Sequence, residues 1–173
     1  RPVPKRPDYG TVVLAHRENI EGRAVFYSGL REGDFVFAVR QHLPWRRAVV
    51  VRGSKLLYTC NGRPDLDFVS QVDSLEAVER LLVTCGFEYL FVERENRVGV
   101  PEEDLLREWL ARTSSYKRVA SHLLSFEPIP SRRDVTIDVY QSVNPPQPRR
   151  EYLDIFVPRT NRTVRVPLKV LTF

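Results

Sequence analysis

The chain contains no methionine, and only four of its 27 basic residues are lysine: Lys5, Lys55, Lys117 and Lys169. It starts at Arg1 instead of an initiator methionine, which predicts a segment of a longer polypeptide. Cysteine is almost as scarce. Cys60 and Cys85 fit no zinc spacing, and two ligands do not close a tetrahedral site. Cys85 falls on the apolar face of an expected helix and reads as a buried thiol. A Cys60–Cys85 disulfide stays open for an oxidising compartment. No apolar run approaches the roughly 20 residues that a membrane-spanning helix needs. No signal-peptide pattern opens the chain.

Catalytic signatures are missing too. His16, His42 and His122 are the only histidines, and none has a His, Cys or carboxylate neighbour at metal-ligand spacing. Each therefore reads as a structural or surface histidine. There is no Gly-x-Ser-x-Gly elbow to present a nucleophile. Glu102-Glu103-Asp104 opens a helix, where negative charge complements the macrodipole, so helix capping is a better role for it than acid–base catalysis. Asp65 and Asp67 fall in a Gly/Pro/Asn-containing loop and read as solvated charge. The sequence thus offers no catalytic residue, no metal site and no cofactor.

What is present describes a folded domain. The 173 residues are 42% hydrophobic and 28% charged, which suits one globular core and not a disordered chain. The net charge of +5 is spread along the chain. A nucleic-acid footprint is a clustered face or stripe. Residues 1–7 hold Pro2, Pro4 and Pro7 among basic side chains and read as a stiff linker. A second break runs from Asn144 through Pro145, Pro146 and Pro148.

Between these breaks, strands alternate with helices. Residues 23–28 and 48–52 read as buried strands, with a helix over 35–42 that Asp34 caps and Pro44 stops. Leu75, Val78, Leu81, Leu82 and Cys85 form one helical stripe, started by Asp73 or Ser74 and ended by Gly86. Residues 87–93 follow as a strand. A further helix opens at Pro101 and buries Leu105, Leu106, Trp109 and Leu110. Residues 119–126 and 135–140 read as strands without a helix between them, and 152–157 with 163–170 as a hairpin. The Asn161-Arg162-Thr163 sequon falls at its tip. The fold class expected is α/β: a Rossmann-like three-layer sandwich with a mainly parallel sheet, antiparallel edge strands and a C-terminal β-hairpin. Residues 1–22 form a linker and leader, 23–143 the α/β body, and 144–173 the Pro-rich connection and hairpin on the same domain.

Open α/β sheets place ligands at the carboxyl ends of their strands. That points to the turn after the first strand, with Gly29, Arg31, Gly33, Asp34 and Arg40 as the ligand-facing residues. The turn lacks the three-glycine dinucleotide spacing and a Walker lysine, and Glu32 and Asp34 would repel phosphate. Its glycines read as a strand-to-helix turn that needs positive φ. Arg40, Arg46, Arg47 and Arg52, with Trp45 among them, form the one local basic cluster; stacking and phosphate contact are conceivable there. The plainer reading is the exposed end of a strand.

Within residues 28–58 the sequence runs Ser-Gly-Leu-Arg-Glu-Gly-Asp-Phe-Val-Phe-Ala-Val-Arg and then Leu-Pro-Trp-Arg-Arg-Ala-Val-Val-Val-Arg-Gly-Ser-Lys-Leu-Leu-Tyr. This resembles the extracytoplasmic C-terminal domain of bacterial membrane glycosyltransferases of the dolichyl-phosphate-mannose protein mannosyltransferase (family 39) type. The strand over 87–93 and the hairpin from Leu153-Asp154-Ile155 to Val166 resemble that pattern as well. Residues 9–22 match poorly. In such enzymes the membrane helices hold a polyprenyl-phosphate sugar donor, and a catalytic acid lies in an early loop. Neither is in this segment. The resemblance therefore implies a non-catalytic accessory domain at the extracytoplasmic face of the membrane. Its partners would be the membrane-embedded part of the same polypeptide and a glycan or lipid-linked acceptor, with no nucleic acid. The rivals are a nucleotide- or small-ligand-binding regulatory module and a nucleic-acid-associated basic domain.

Overall fold

A computed structural model describes residues 8–44, 47–59, 68–125, 134–144, 151–157 and 160–168. In chain order the elements are α1 (Tyr9–Ala15), α2 (Arg17–Ile20), β1 (Arg23–Ser28), α3 (Glu32–His42), β2 (Ala48–Arg52), α4 (Gly53–Leu56), β3 (Tyr58–Thr59) and β4 (Val69–Ser70). They continue with α5 (Leu75–Cys85), β5 (Tyr89–Glu93), α6 (Pro101–Arg112), β6 (Tyr116–Leu124), β7 (Val135–Ser142), β8 (Tyr152–Val157) and β9 (Arg162–Pro167).

The central sheet has five strands in the order β2-β1-β5-β7-β6. β1 runs parallel to both β2 and β5, whereas β7 joins β5, and β6 joins β7, antiparallel. The sheet is thus mixed, parallel over β2-β1-β5 and with the antiparallel strands at one edge that the sequence leads one to expect. No helix separates β6 from β7, and a parallel return needs a long crossover. β8 and β9 form a separate hairpin.

The parallel strands are apolar on both faces because both faces are covered. On one side Val25, Tyr27, Phe91 and Ile137 meet α1, α2 and α3 through Val12, Val13, Ile20, Phe35 and Val39. On the other, Phe26, Leu90 and Val92 meet Val78, Leu82, Leu106 and Trp109 of α5 and α6. Leu153 of the C-terminal hairpin and Leu168 beside it join this second cluster. The aromatic centre of the first cluster is stacked, with Tyr27 and Phe35 rings 4.3 Å apart at 20°.

Local signals explain most boundaries. The Ser74 side chain accepts the Ala77 N–H at 3.2 Å, and Gly86 ends α5 in the left-handed conformation at φ 65°. Pro101 opens α6. Two expectations are corrected. α3 begins at Glu32, a turn earlier than expected, and Asp34 lies inside its first turn, paired with Arg31 at 3.1 Å instead of capping. Residues 8–22, read as leader, carry α1 and α2, whose Val12, Val13 and Ile20 are wholly buried. Cys85 is buried on α5, while Cys60, Trp45, Arg46, Asp65, Asp67 and the linker 1–7 lie outside the described residues. Among the described residues no helix is long and apolar enough to cross a membrane.

Candidate functional site

From β1 the chain steps to β2 on one side and later to β5 on the other. The crevice between the carboxyl ends of β1 and β5 is where an open α/β sheet receives ligands. Here that edge is filled by the protein's own carboxylates. Glu93 ends β5, is 1% exposed, and reaches over the end of β1. Its carboxylate accepts from the Tyr27 hydroxyl at 3.0 Å and from the backbone N–H groups of Leu30 at 3.1 Å and Arg31 at 3.4 Å. Those amides lead into α3, where a phosphate would bind if this turn served a nucleotide. Glu93 already occupies that position.

This arrangement accounts for Gly29. A Cβ there would fall on the Glu93 carboxyl group. The reading that the turn glycines need positive φ is corrected: among the described residues the positive-φ ones are Gly22, Gly86, Gly99 and Asn161, not Gly29 or Gly33. Gly29 is required by close approach, whereas a Cβ on Gly33 would meet nothing within 4 Å. Gly29→Ala is expected to cost about 1–3 kcal/mol through overpacking. Gly33→Ala should cost far less, and urea denaturation of the two variants side by side measures the difference.

Two more buried carboxylates complete the edge. Glu32, at the start of α3, accepts the Ser54 backbone N–H at 2.9 Å and a short bond from its hydroxyl, which holds α4 against α3. Burial pushes the Glu32 carboxyl up to about 7, against the pull of the Ser54 bonds and with the Glu103 charge adding to the rise. Glu103, fully buried on α6, accepts the Ser28 hydroxyl at 2.5 Å and Arg107 Nη1 at 2.7 Å. A Cβ on Gly53 would fall on the Ser28 hydroxyl, so this glycine also marks a close approach.

Arg107 closes the β5–α6 loop. Its Nε and Nη2 donate to the Glu93 carbonyl at 2.9 and 2.7 Å, and Nη2 donates to the Glu95 carbonyl at 3.1 Å. One guanidinium thus fastens the β5 end of the loop to α6. A neighbouring cluster lies on the other strands, where Arg94 grips the buried Asp138 through Nε at 2.9 Å and Nη2 at 2.8 Å. Burial would raise the Asp138 carboxyl, but the Arg94 and Ser121 hydrogen bonds outweigh it and hold the group below its ordinary value.

The ligand-facing residues expected from the sequence do not converge. Gly29 faces Glu93, Arg31 pairs with Asp34, Gly33 borders open space, and Arg40 is exposed on α3. Asp34 alone of the five lines a cleft of about 240 Å³ between α1 and α3, together with Asp8, Tyr9, Phe37 and His42. Of the basic cluster, Arg47 bonds Glu21 at 3.0 Å and Arg52 acts on Glu32, while Trp45 and Arg46 lie outside the described residues. Glu102 and Glu103, read as dipole complements, are buried at 5% and 0% exposure.

Sequence reasoning missed two groupings. Glu32, Glu93 and Glu103 assemble from α3, β5 and α6, and the signal that could have found them is a carboxylate at the end of an otherwise apolar strand, as at Glu93. His16 and His122 meet at 2.8 Å across 106 residues, which no local spacing reveals. Among the described residues no group of three His, Cys, Asp or Glu is placed to hold a metal ion. Chemically, the carboxylate edge ties loops together; Ser28, wholly buried and donating to Glu103, is not presented as a nucleophile. Comparison with known proteins returns no match: no family model fits the chain, and no curated protein or solved structure is significantly similar to it.

Proposed function

We propose that this chain is a non-catalytic accessory domain of a polytopic membrane glycosyltransferase that uses a polyprenyl-phosphate-linked sugar. In this reading the domain stands on the extracytoplasmic face, beside the membrane-embedded part of its own polypeptide, and contacts a glycan or lipid-linked acceptor. The architecture is a Rossmann-like scaffold turned to a structural task. One observation carries the reading: Glu93 fills the phosphate position of the β1–α3 turn. A carboxylate bonded to those amides repels the ligand that this sheet geometry otherwise serves.

The resembling segment supports the same view. Ser28, Gly29, Glu32, Gly53 and Ser54, all within residues 28–58, contribute to the carboxylate edge, with Glu93 and Glu103 from outside that segment. The pattern that carries the resemblance is therefore one of packing, as an accessory domain requires. Glu93 at the turn amides also speaks against a nucleotide-binding module.

Two measurements test the proposal. The reading frame upstream of Arg1 should encode several apolar stretches of about 20 residues; a polar upstream region would contradict it. The domain alone, given a polyprenyl-phosphate-linked sugar and acceptor peptides, should transfer nothing. Measurable transfer would overturn the non-catalytic assignment.

A further inference from the structure

All three histidines of the chain border the same short segment. His16 joins α1 to α2, His122 reaches it from β6, and His42 of α3 lies so close that its Nε2 is 2.5 Å from the place of a Gly10 Cβ. His16 is structurally central there. Its backbone N–H bonds the Val12 carbonyl at 3.1 Å, and its carbonyl accepts from Asn19 and Ile20, each at 3.0 Å. The side chain is 8% exposed and stands edge-on to Phe91.

The protonation pattern follows from the neighbours. Asn19 Nδ2 can only donate, and it lies 3.1 Å from His16 Nδ1, so that nitrogen is the acceptor. The His16 proton is then on Nε2 and points at His122 Nε2, 2.8 Å away. His122 accepts with Nε2 and carries its own proton on Nδ1. A proton taken up by His16 goes to Nδ1, where it opposes the Asn19 amide N–H groups. With both rings charged, two N–H groups also face each other across the Nε2–Nε2 contact.

We propose that His16 and His122 form a proton-operated latch, closed at neutral pH and opened by mild acid, that fastens α1–α2 to strand β6. The surroundings offer an added charge little compensation. On β6, His122 is flanked on its face by Ala120 and Leu124, with Lys117 further along; Ile137 is its partner on β7. β5 presents Phe91 and, beyond it, Glu93, which is already committed to Tyr27 and two amides. On α2, Arg17 pairs with Glu21, while Glu18 is exposed. From the far end of α1, Asp8 lies close to His42, and Asp34 of α3 lines the same cleft. Two carboxylates thus lie beside His42, whereas the buried His16 ring faces Phe91 and the half-buried His122.

Burial and then His122 hold the His16 imidazole below its ordinary value of 6.5. A histidine depressed in the folded state contributes stability that is intact above the unfolded value. That stability is lost as pH falls below about 6.5, by up to tenfold in the closing equilibrium per pH unit. Opening should be local, because the segment is two helices of seven and four residues.

The test uses the whole chain, labelled with nitrogen-15. At pH 7.5, imidazole spectra should report His16 protonated on Nε2 and His122 on Nδ1. On titration to pH 5, amides of α1–α2 should lose protection from hydrogen exchange by about tenfold or more, after correction for intrinsic rates. Amides of β1 and β5 should keep theirs. The double variant His16→Gln, His122→Gln should remove the step, and His42→Gln should retain it. Unchanged α1–α2 protection across this range, or an equal loss in the double variant, would overturn the latch. If the double variant fails to fold, the wild-type titration alone decides.

Discussion

Replacing Arg107 by alanine is expected to destabilise the domain by about 3–5 kcal/mol, the largest effect of any single exposed-to-buried contact described above. The side chain is only 16% exposed, and its Glu103 partner is fully buried. Truncation leaves the Glu103 carboxylate without its charge partner and strips donors from the Glu93 and Glu95 carbonyls. Arg107→Lys keeps the charge but not the planar fork, so it should recover only part of the loss. Chemical denaturation of the three proteins measures it. A lysine variant as stable as wild type would mean that charge alone matters.

Replacing Glu32 by glutamine should change the pH dependence of stability. The carboxyl is raised from an ordinary 4.5 to about 7 by burial first, so the folded protein holds this proton more tightly than the unfolded chain. Below pH 4.5 the group is neutral in both states and imposes no penalty. Between 4.5 and 7 the unfolded chain releases the proton first, and stability falls as pH rises. Above 7 the penalty levels at roughly 3 kcal/mol. The amide oxygen of glutamine can still accept the Ser54 N–H. The variant should match wild type near pH 4.5 and exceed it at pH 8. Parallel stability curves for the two proteins would show that Glu32 is not the titrating group.

Much of the fold is legible in the sequence wherever one local signal dominates. Val49, Val50 and Val51 form β2, and the stripe from Leu75 to Cys85 with Ser74 and Gly86 at its ends forms α5. The chain from Tyr9 to Ile20 was harder to read because α1 and α2 span only seven and four residues. Such helices exist by burying Val12, Val13 and Ile20 on the sheet, not by intrinsic propensity. The start of α3 was misplaced for a related reason. Asp34 reads locally as the cap and Glu32 as a turn charge ahead of it, yet Glu32 opens the helix and is buried against Ser54.

The site was less legible than the fold. Gly29 reads locally as a ligand-facing turn glycine at positive φ, but the reason for a glycine there lies 64 residues away in Glu93, the polar end of an apolar strand. Glu103 looked like helix-dipole chemistry because its partners, Ser28 and Arg107, come from β1 and from the next turn of α6. The His16–His122 contact depends on β6 pairing with β7 instead of with a parallel neighbour. Each of these groupings is set by strand order, which a reading of neighbours in the chain does not reach.

The central claim is that Glu93 closes the phosphate position at the carboxyl edge of the sheet. The most direct test is thermal denaturation of the domain with mono- and dinucleotides and sugar phosphates at millimolar concentration. A ligand bound only by the native state raises stability by about 2.7 kcal/mol at a hundred times its Kd. The account predicts no shift with any of them. A saturable stabilisation that Arg31→Ala abolishes would place a phosphate at the β1–α3 turn and contradict it.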